Sequence, residues 1–187
     1  MLSPDRGDTR QPDFLAMNPH GKLPVLIDGD VVLYESDVIV EYLEDKYSPD
    51  NVRLWPAEPV ARALARRTAA EAAAYLYPAL RRLVTGWAAK PEPDIDRTAI
   101  DLTKQTIASQ LDLLASRLSA GFMASDVPGA ADYAVYPLLA LLRRLDARRP
   151  GEVLSSLVPS SIDAWAQRIE ALPFHSRTLP PHWRTSV

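Results

Sequence analysis

A short stretch near the start of the chain holds side chains suited to gripping a small charged molecule. Ser36 stands where a helical pattern begins, followed by Asp37. A helix N-terminus there offers a hydroxyl and free backbone N–H groups to an anion. Arg10 and Lys22 are cations that suit a carboxylate, the arginine as a bidentate fork and the lysine as a point charge. Leu23-Pro24 is an X–Pro pair, for which the cis form costs only about 0.5–1 kcal/mol, so proline makes a sharply bent backbone accessible. Each residue taken singly has an ordinary reading. Ser36-Asp37 would be an N-cap with an acid in the first turn, Leu23-Pro24 an edge strand, and Arg10 and Lys22 solvated side chains.

Other chemistry is poorly served. The chain has no cysteine, which excludes disulfides, thiolate metal sites and a cysteine nucleophile. His20, His175 and His182 have no second ligand at helical spacing, so no metal is expected. Paired arginines at 66–67, 81–82, 143–144 and 148–149 suggest phosphate contacts, but interleaved acids and a net charge of −3 favour solvated helix faces and no nucleic-acid partner.

The elements that must position these residues follow from periodicity. Leu23–Ile27 and Val31–Tyr34 are short, apolar and β-branched. They flank Asp28-Gly29-Asp30, a strong hairpin signal because glycine accepts the positive φ of a tight turn. A helix with Ser36 as N-cap then runs through Val38, Ile39, Tyr42, Leu43 and Tyr47. Beyond the linker chemistry around Ser48-Pro49-Asp50-Asn51 the chain reads as wholly helical. Val60, Leu64, Tyr75, Leu76, Leu80, Leu83 and Trp87 mark one long helix, with a kink expected at Pro78. Ile100, Ile107, Leu111, Leu114 and Leu118 mark a second, with a third over 130–146 and a fourth over 160–171. Residues 1–47, 48–58 and 59–187 thus read as a small α/β part, a linker and an all-helical domain. At 187 residues the chain fits one generous domain or two small ones, at about 100–200 residues each. An apolar content of 47% against 24% charged is that of a globular protein. With no apolar run of about 20 residues and a polar start, the expectation is a soluble cytoplasmic protein with no membrane partner.

The string Asn18-Pro19-His20-Gly21-Lys22-Leu23-Pro24, a hairpin, then Glu35-Ser36 resembles the glutathione transferase superfamily. The likeness continues through Tyr42–Tyr47, Gly129-Ala130-Ala131-Asp132 and Pro159–Glu170. It implies an incomplete thioredoxin-like part followed by an all-α bundle, which together bind glutathione and pass its thiol to a small hydrophobic electrophile. By the same resemblance the bond before Pro24 is cis, and Leu23 pairs its backbone with the cysteinyl part of glutathione. Ser36 receives the γ-glutamyl carboxylate, Glu35 faces the ammonium, and Arg10 and Lys22 meet the glycyl carboxylate. Tyr75, Tyr77 and Trp87 lie on the helix that lines the family's electrophile site, although core packing or plain surface exposure is an alternative for each. Asp132 is expected to cap its helix by returning to the backbone near Gly129, where the family usually carries Ser or Thr. A homodimer is implied as well.

One departure is large. Family members open with a strand–helix–strand unit that carries the catalytic Ser, Tyr or Cys, and such a unit takes about 30 residues. Only 22 residues precede Leu23. The sequence therefore leads us to expect a start lying upstream, a remnant without catalysis, or a remnant completed by a partner. The alternative to an enzyme is a non-catalytic regulatory or assembly module on the same scaffold.

Overall fold

The computed structural model of the chain describes residues 6–49, 53–118, 121–180 and Trp183. The chain divides into two units, Met1–Arg53 and Leu54–Val187.

In the first unit a short helix α1 (Pro12–Met17) starts on a proline, whose missing N–H costs nothing at that position. Strands β1 (Val25–Asp28) and β2 (Val31–Tyr34) pair antiparallel, with Val25 opposite Tyr34 and Asp28 opposite Val31. Gly29 begins the two-residue turn with φ +59°, which a β-carbon would oppose. The first strand opens at Val25 rather than at the expected Leu23, since Pro24 has no N–H to give to a ladder. Helix α2 (Ser36–Tyr47) follows directly, and Glu35, not Ser36, occupies the N-cap position. Its C-terminal turn is bound to the hairpin tip. Tyr42 Oη (2.8 Å), Lys46 Nζ (2.8 Å) and Tyr47 Oη (2.6 Å) all donate to Asp28 Oδ2. The bond from Lys46, then those from Tyr47 and Tyr42, hold the Asp28 carboxyl down at about 2.

The second unit is all helix. In α3 (Pro59–Glu71) the Glu58 carboxylate caps the start, accepting from the Val60 and Ala61 N–H groups at 3.0 and 2.7 Å. The run continues without a break through a π turn (Ala72–Leu76), α4 (Tyr77–Leu83) and a second π turn (Val84–Ala88). Pro78 cannot donate into the turn before it, and there the ladder widens so that the Tyr77 N–H reaches Ala72 O. The local response to the proline is thus a π turn. Helices α5 (Arg97–Ala115), α6 (Ala130–Arg148), α7 (Ser160–Glu170) and the short α8 (His175–Thr178) complete the bundle.

Its core takes Leu76, Leu80 and Leu83 from the long run, Ile107 and Leu111 from α5, Val135 and Leu139 from α6, and Ile162 and Trp165 from α7. Val60, Leu64 and Tyr75, which mark the long helix in the sequence, lie exposed on it, by 65%, 47% and 58%. Ala65, Ala69 and Ala72 form the buried line, because small side chains let α3 lie close to α6, against which it packs. No helix among the described residues is long and apolar enough to cross a membrane.

Candidate glutathione site

The segment before β1 is folded around Asn18, which is 2% exposed. Its amide nitrogen donates to Lys22 O at 2.8 Å, and its side-chain oxygen accepts the His20 N–H at 3.0 Å. One side chain thus closes the whole turn 18–22. Gly21 completes it with φ +60°, and a β-carbon there would lie 2.9 Å from Thr9 O and 3.1 Å from an Arg10 guanidinium nitrogen. Glycine is therefore required on two counts, conformation and space. The same contact places Arg10 beside residues 21 and 22. The ring of His20 meets Tyr34 edge-on at 5.9 Å, which ties this turn to the end of β2.

The peptide bond between Leu23 and Pro24 is cis. Antiparallel register fixes what faces it. With Val25 opposite Tyr34, the Leu23-Pro24 pair and the Glu35-Ser36 pair leave the hairpin at the same end. Glu35 takes φ +70° and ψ 113°, a left-handed conformation that L side chains adopt at a cost of order 1–3 kcal/mol unless their surroundings enforce it. Ser36 and Asp37 follow as the first residues of α2, where backbone N–H groups have no helical acceptor. Arg10, Lys22, Leu23, Pro24, Glu35 and Ser36 are all exposed. Among the described residues, the side chains of Arg10, Lys22, Glu35 and Ser36 make no hydrogen bond or ion pair. Two cations, one carboxylate, a hydroxyl and a helix N-terminus are gathered around one end of a hairpin. Such a set can hold a small zwitterion with two carboxylates.

Comparison with known proteins identifies the family. Residues 2–51 match the family model "Glutathione S-transferase, N-terminal domain". Glutathione S-transferase 3 of Zea mays is 32% identical over 185 residues, an alignment that covers 94% of this chain and 80% of the maize protein. The chain belongs to the glutathione S-transferase superfamily. Glutathione S-transferase GstB of Escherichia coli K12 is 34% identical over 136 residues, which cover 71% of this chain and 64% of that protein. A crystal structure of a glutathione S-transferase from the Antarctic clam Laternula elliptica superposes with a TM-score of 0.79 at 27% identity, covering 99% of this chain and 81% of the clam chain. The architecture is accordingly the superfamily's thioredoxin-like part followed by its helical bundle.

The residues read by resemblance in the second unit divide. Tyr75 and Tyr77 are 58% and 42% exposed, whereas Trp87 is 1% exposed within the core and is unavailable to a ligand in this structure. The packing alternative describes Trp87. Asp132 is 1% exposed. Its Oδ2 accepts the Gly129 N–H at 2.9 Å, and its Oδ1 accepts the Met123 N–H at 2.9 Å and the Trp165 Nε1–H at 2.7 Å. Burial raises its carboxyl above the ordinary range, while these bonds oppose the rise. Glycine at 129 has a steric cause. Its φ of −136° is ordinary, but a β-carbon would lie 2.6 Å from Leu54 O, the carbonyl that also accepts the Ala130 N–H at 2.9 Å.

His175 Nε2 lies 2.8 Å from Tyr136 Oη, and His182 lies outside the described residues. Among the described residues no group of three or more His, Cys, Asp or Glu is placed to hold a metal. The sequence reading took Asn18 only as the head of the family string and missed its turn-closing side chain, although an Asn-Pro followed by Gly is a recognisable turn signal. It also missed the Asp28 cluster, whose Tyr42–Lys46 spacing of one helical turn was open to view. The left-handed Glu35 has no sequence signal at all.

Proposed function

We propose that this chain is a glutathione-binding transferase of its superfamily, which presents the tripeptide's thiol to a small hydrophobic electrophile. The observation that carries the reading is the hairpin register, since it sets the Leu23-Pro24 backbone beside Glu35 and the first amides of α2. In that arrangement the extended peptide of glutathione adds to the backbone at Leu23, as a strand adds to a sheet edge. Its γ-glutamyl carboxylate sits at Ser36, its ammonium faces Glu35, and its glycyl carboxylate meets Arg10 and Lys22. Tyr75 and Tyr77 are the candidates for contact with the electrophile.

Isothermal titration with glutathione, beside a conjugation assay using an aryl halide, tests the proposal. Ser36→Ala is expected to weaken binding about tenfold, the loss of one hydrogen bond to a charged group. Arg10→Ala and Lys22→Ala each weaken it further. If the protein does not bind glutathione, or binds it equally well in all three variants, the assignment is wrong. Binding without conjugation would support the non-catalytic module.

A further inference from the structure

Asn18 is bonded more heavily than its turn requires. Its N–H ends α1 on the Phe14 carbonyl at 2.9 Å, and its carbonyl accepts the Gly21 N–H at 2.9 Å. Its Oδ1 accepts the His20 N–H at 3.0 Å, and its Nδ2 donates to the Lys22 carbonyl at 2.8 Å. A backbone N–H only donates and a backbone carbonyl only accepts, so these partners allow the amide one orientation. Phe14 and Asn18 are 4% and 2% exposed. The bonds therefore start from a buried base.

Closure of the turn is complete without the last of them. An Asx turn needs the side-chain oxygen on the N–H two residues ahead, and the Gly21 bond adds a backbone closure. The Nδ2 bond reaches past the turn, to the residue before the cis Leu23-Pro24 pair. Lys22 is exposed, and water can serve the carbonyl of an exposed residue. What the bond adds is restraint. A lysine carries its ammonium on a flexible four-carbon stem, and fixing its carbonyl removes the motion of the stem's root. Arg10 stands at the same place, with a guanidinium nitrogen 3.1 Å from where a β-carbon on Gly21 would lie. Neither cation has a hydrogen bond or ion pair from its side chain among the described residues. Like charges are thus held on one turn, an arrangement that costs energy until an anion lies between them.

We infer that Asn18 is a positioning residue of the glutathione site: through the Lys22 carbonyl it holds the Lys22 ammonium beside Arg10, where both meet the glycyl carboxylate. The inference rests on the glutathione reading above and adds to it the buried group that sets the cation pair.

Calorimetric titration with glutathione and with its glycyl ethyl ester, in which that carboxylate is masked, tests it. The intact protein is expected to bind glutathione about tenfold more tightly than the ester, the worth of a charge-assisted contact. Asn18→Ser keeps an oxygen for the His20 N–H but has no nitrogen for Lys22, and is expected to cut the preference to about threefold. Asn18→Ala is expected to cut it at least as far, and the serine variant decides alone if the alanine variant does not fold. Ser36→Ala, at the other end of the ligand, is expected to weaken both ligands and leave the preference tenfold. In a Lys22→Ala background Asn18→Ser is expected to change the preference no further, the non-additivity of one residue acting through another. Simple loosening of the turn would instead weaken both ligands alike. The inference is overturned if the parent shows no preference, if Asn18→Ser keeps it whole, or if Asn18→Ser lowers it equally with and without Lys22. A parent that binds neither ligand overturns the glutathione reading and this inference with it. A parent that binds glutathione, beside an Asn18→Ser variant with the same preference, overturns the positioning role alone.

Discussion

Replacing Asp132 by alanine is the substitution whose effect can be built up atom by atom. Its Oδ1 accepts from Met123 N–H and Trp165 Nε1–H, and its Oδ2 from Gly129 N–H. Met123 is 3% and Trp165 0% exposed, so water cannot replace the acceptor for either. A buried donor left without a partner costs about 1–3 kcal/mol, and loss of a helix cap about 1 kcal/mol more. Removing the carboxylate also relieves the burial of a charge, the effect that lifts its carboxyl above the ordinary range, and this offsets part of the loss. The expected net for Asp132→Ala is about 3–4 kcal/mol of destabilisation, within the range for breaking a buried network. Asp132→Asn separates the contributions. Its amide oxygen at the Oδ1 position keeps Met123 and Trp165, its amide nitrogen can no longer accept from Gly129, and the buried charge is gone, so the expected cost is about 1–2 kcal/mol. Urea unfolding followed by tryptophan fluorescence measures both, with hydrogen exchange at the Met123 amide as a local readout. If the alanine variant lies within 0.5 kcal/mol of the parent, or if the two variants lose equally, the network does not anchor α6 to α7.

Three further outcomes follow from other contacts. The Asp28 carboxyl, ordinarily at 3.8, is held at about 2 in the fold, so the stability it contributes is complete above 3.8 and is lost as pH falls toward 2. Acid titration of the parent against Asp28→Asn, followed by the hairpin amides, should show the two converging over that window, and parallel curves would refute the cluster. Glu35→Gly and Val153→Gly each replace a side chain held at positive φ, +70° and +48°, and each should raise stability by about 1 kcal/mol in urea unfolding. Only the first should also weaken glutathione in titration. Gly129→Ser installs a better N-cap residue yet brings its β-carbon against Leu54 O. Thermal unfolding should show a loss of about 1–3 kcal/mol, whereas a gain would mean the carbonyl can move aside.

The sequence was most readable where one residue type dictates one geometry. Asp28-Gly29 forced the hairpin turn, and prolines at the starts of α3 and the loop before α7 marked helix boundaries. It was least readable where a position is set by atoms far along the chain. Ala65, Ala69 and Ala72 are buried because α6 comes close, and alanine carries no hydrophobic pattern strong enough to outvote Val60 and Leu64. Gly129 is fixed by the Leu54 carbonyl, and the pairing of Arg143 by where Asp163 and Glu170 fall. Glu35 is the informative failure. Local preference argues against a left-handed glutamate, and sequences usually agree with their folds at that level. Val153 breaks the same rule, but its neighbours explain it, since Asp146 binds the next two backbone N–H groups and holds the turn. No such bond holds the Glu35 side chain among the described residues. Glu35 at least opens α2, its carbonyl accepting the Ile39 N–H at 3.0 Å, and whether its exposed carboxylate also meets the ammonium of glutathione, as proposed, is what the Glu35→Gly titration decides.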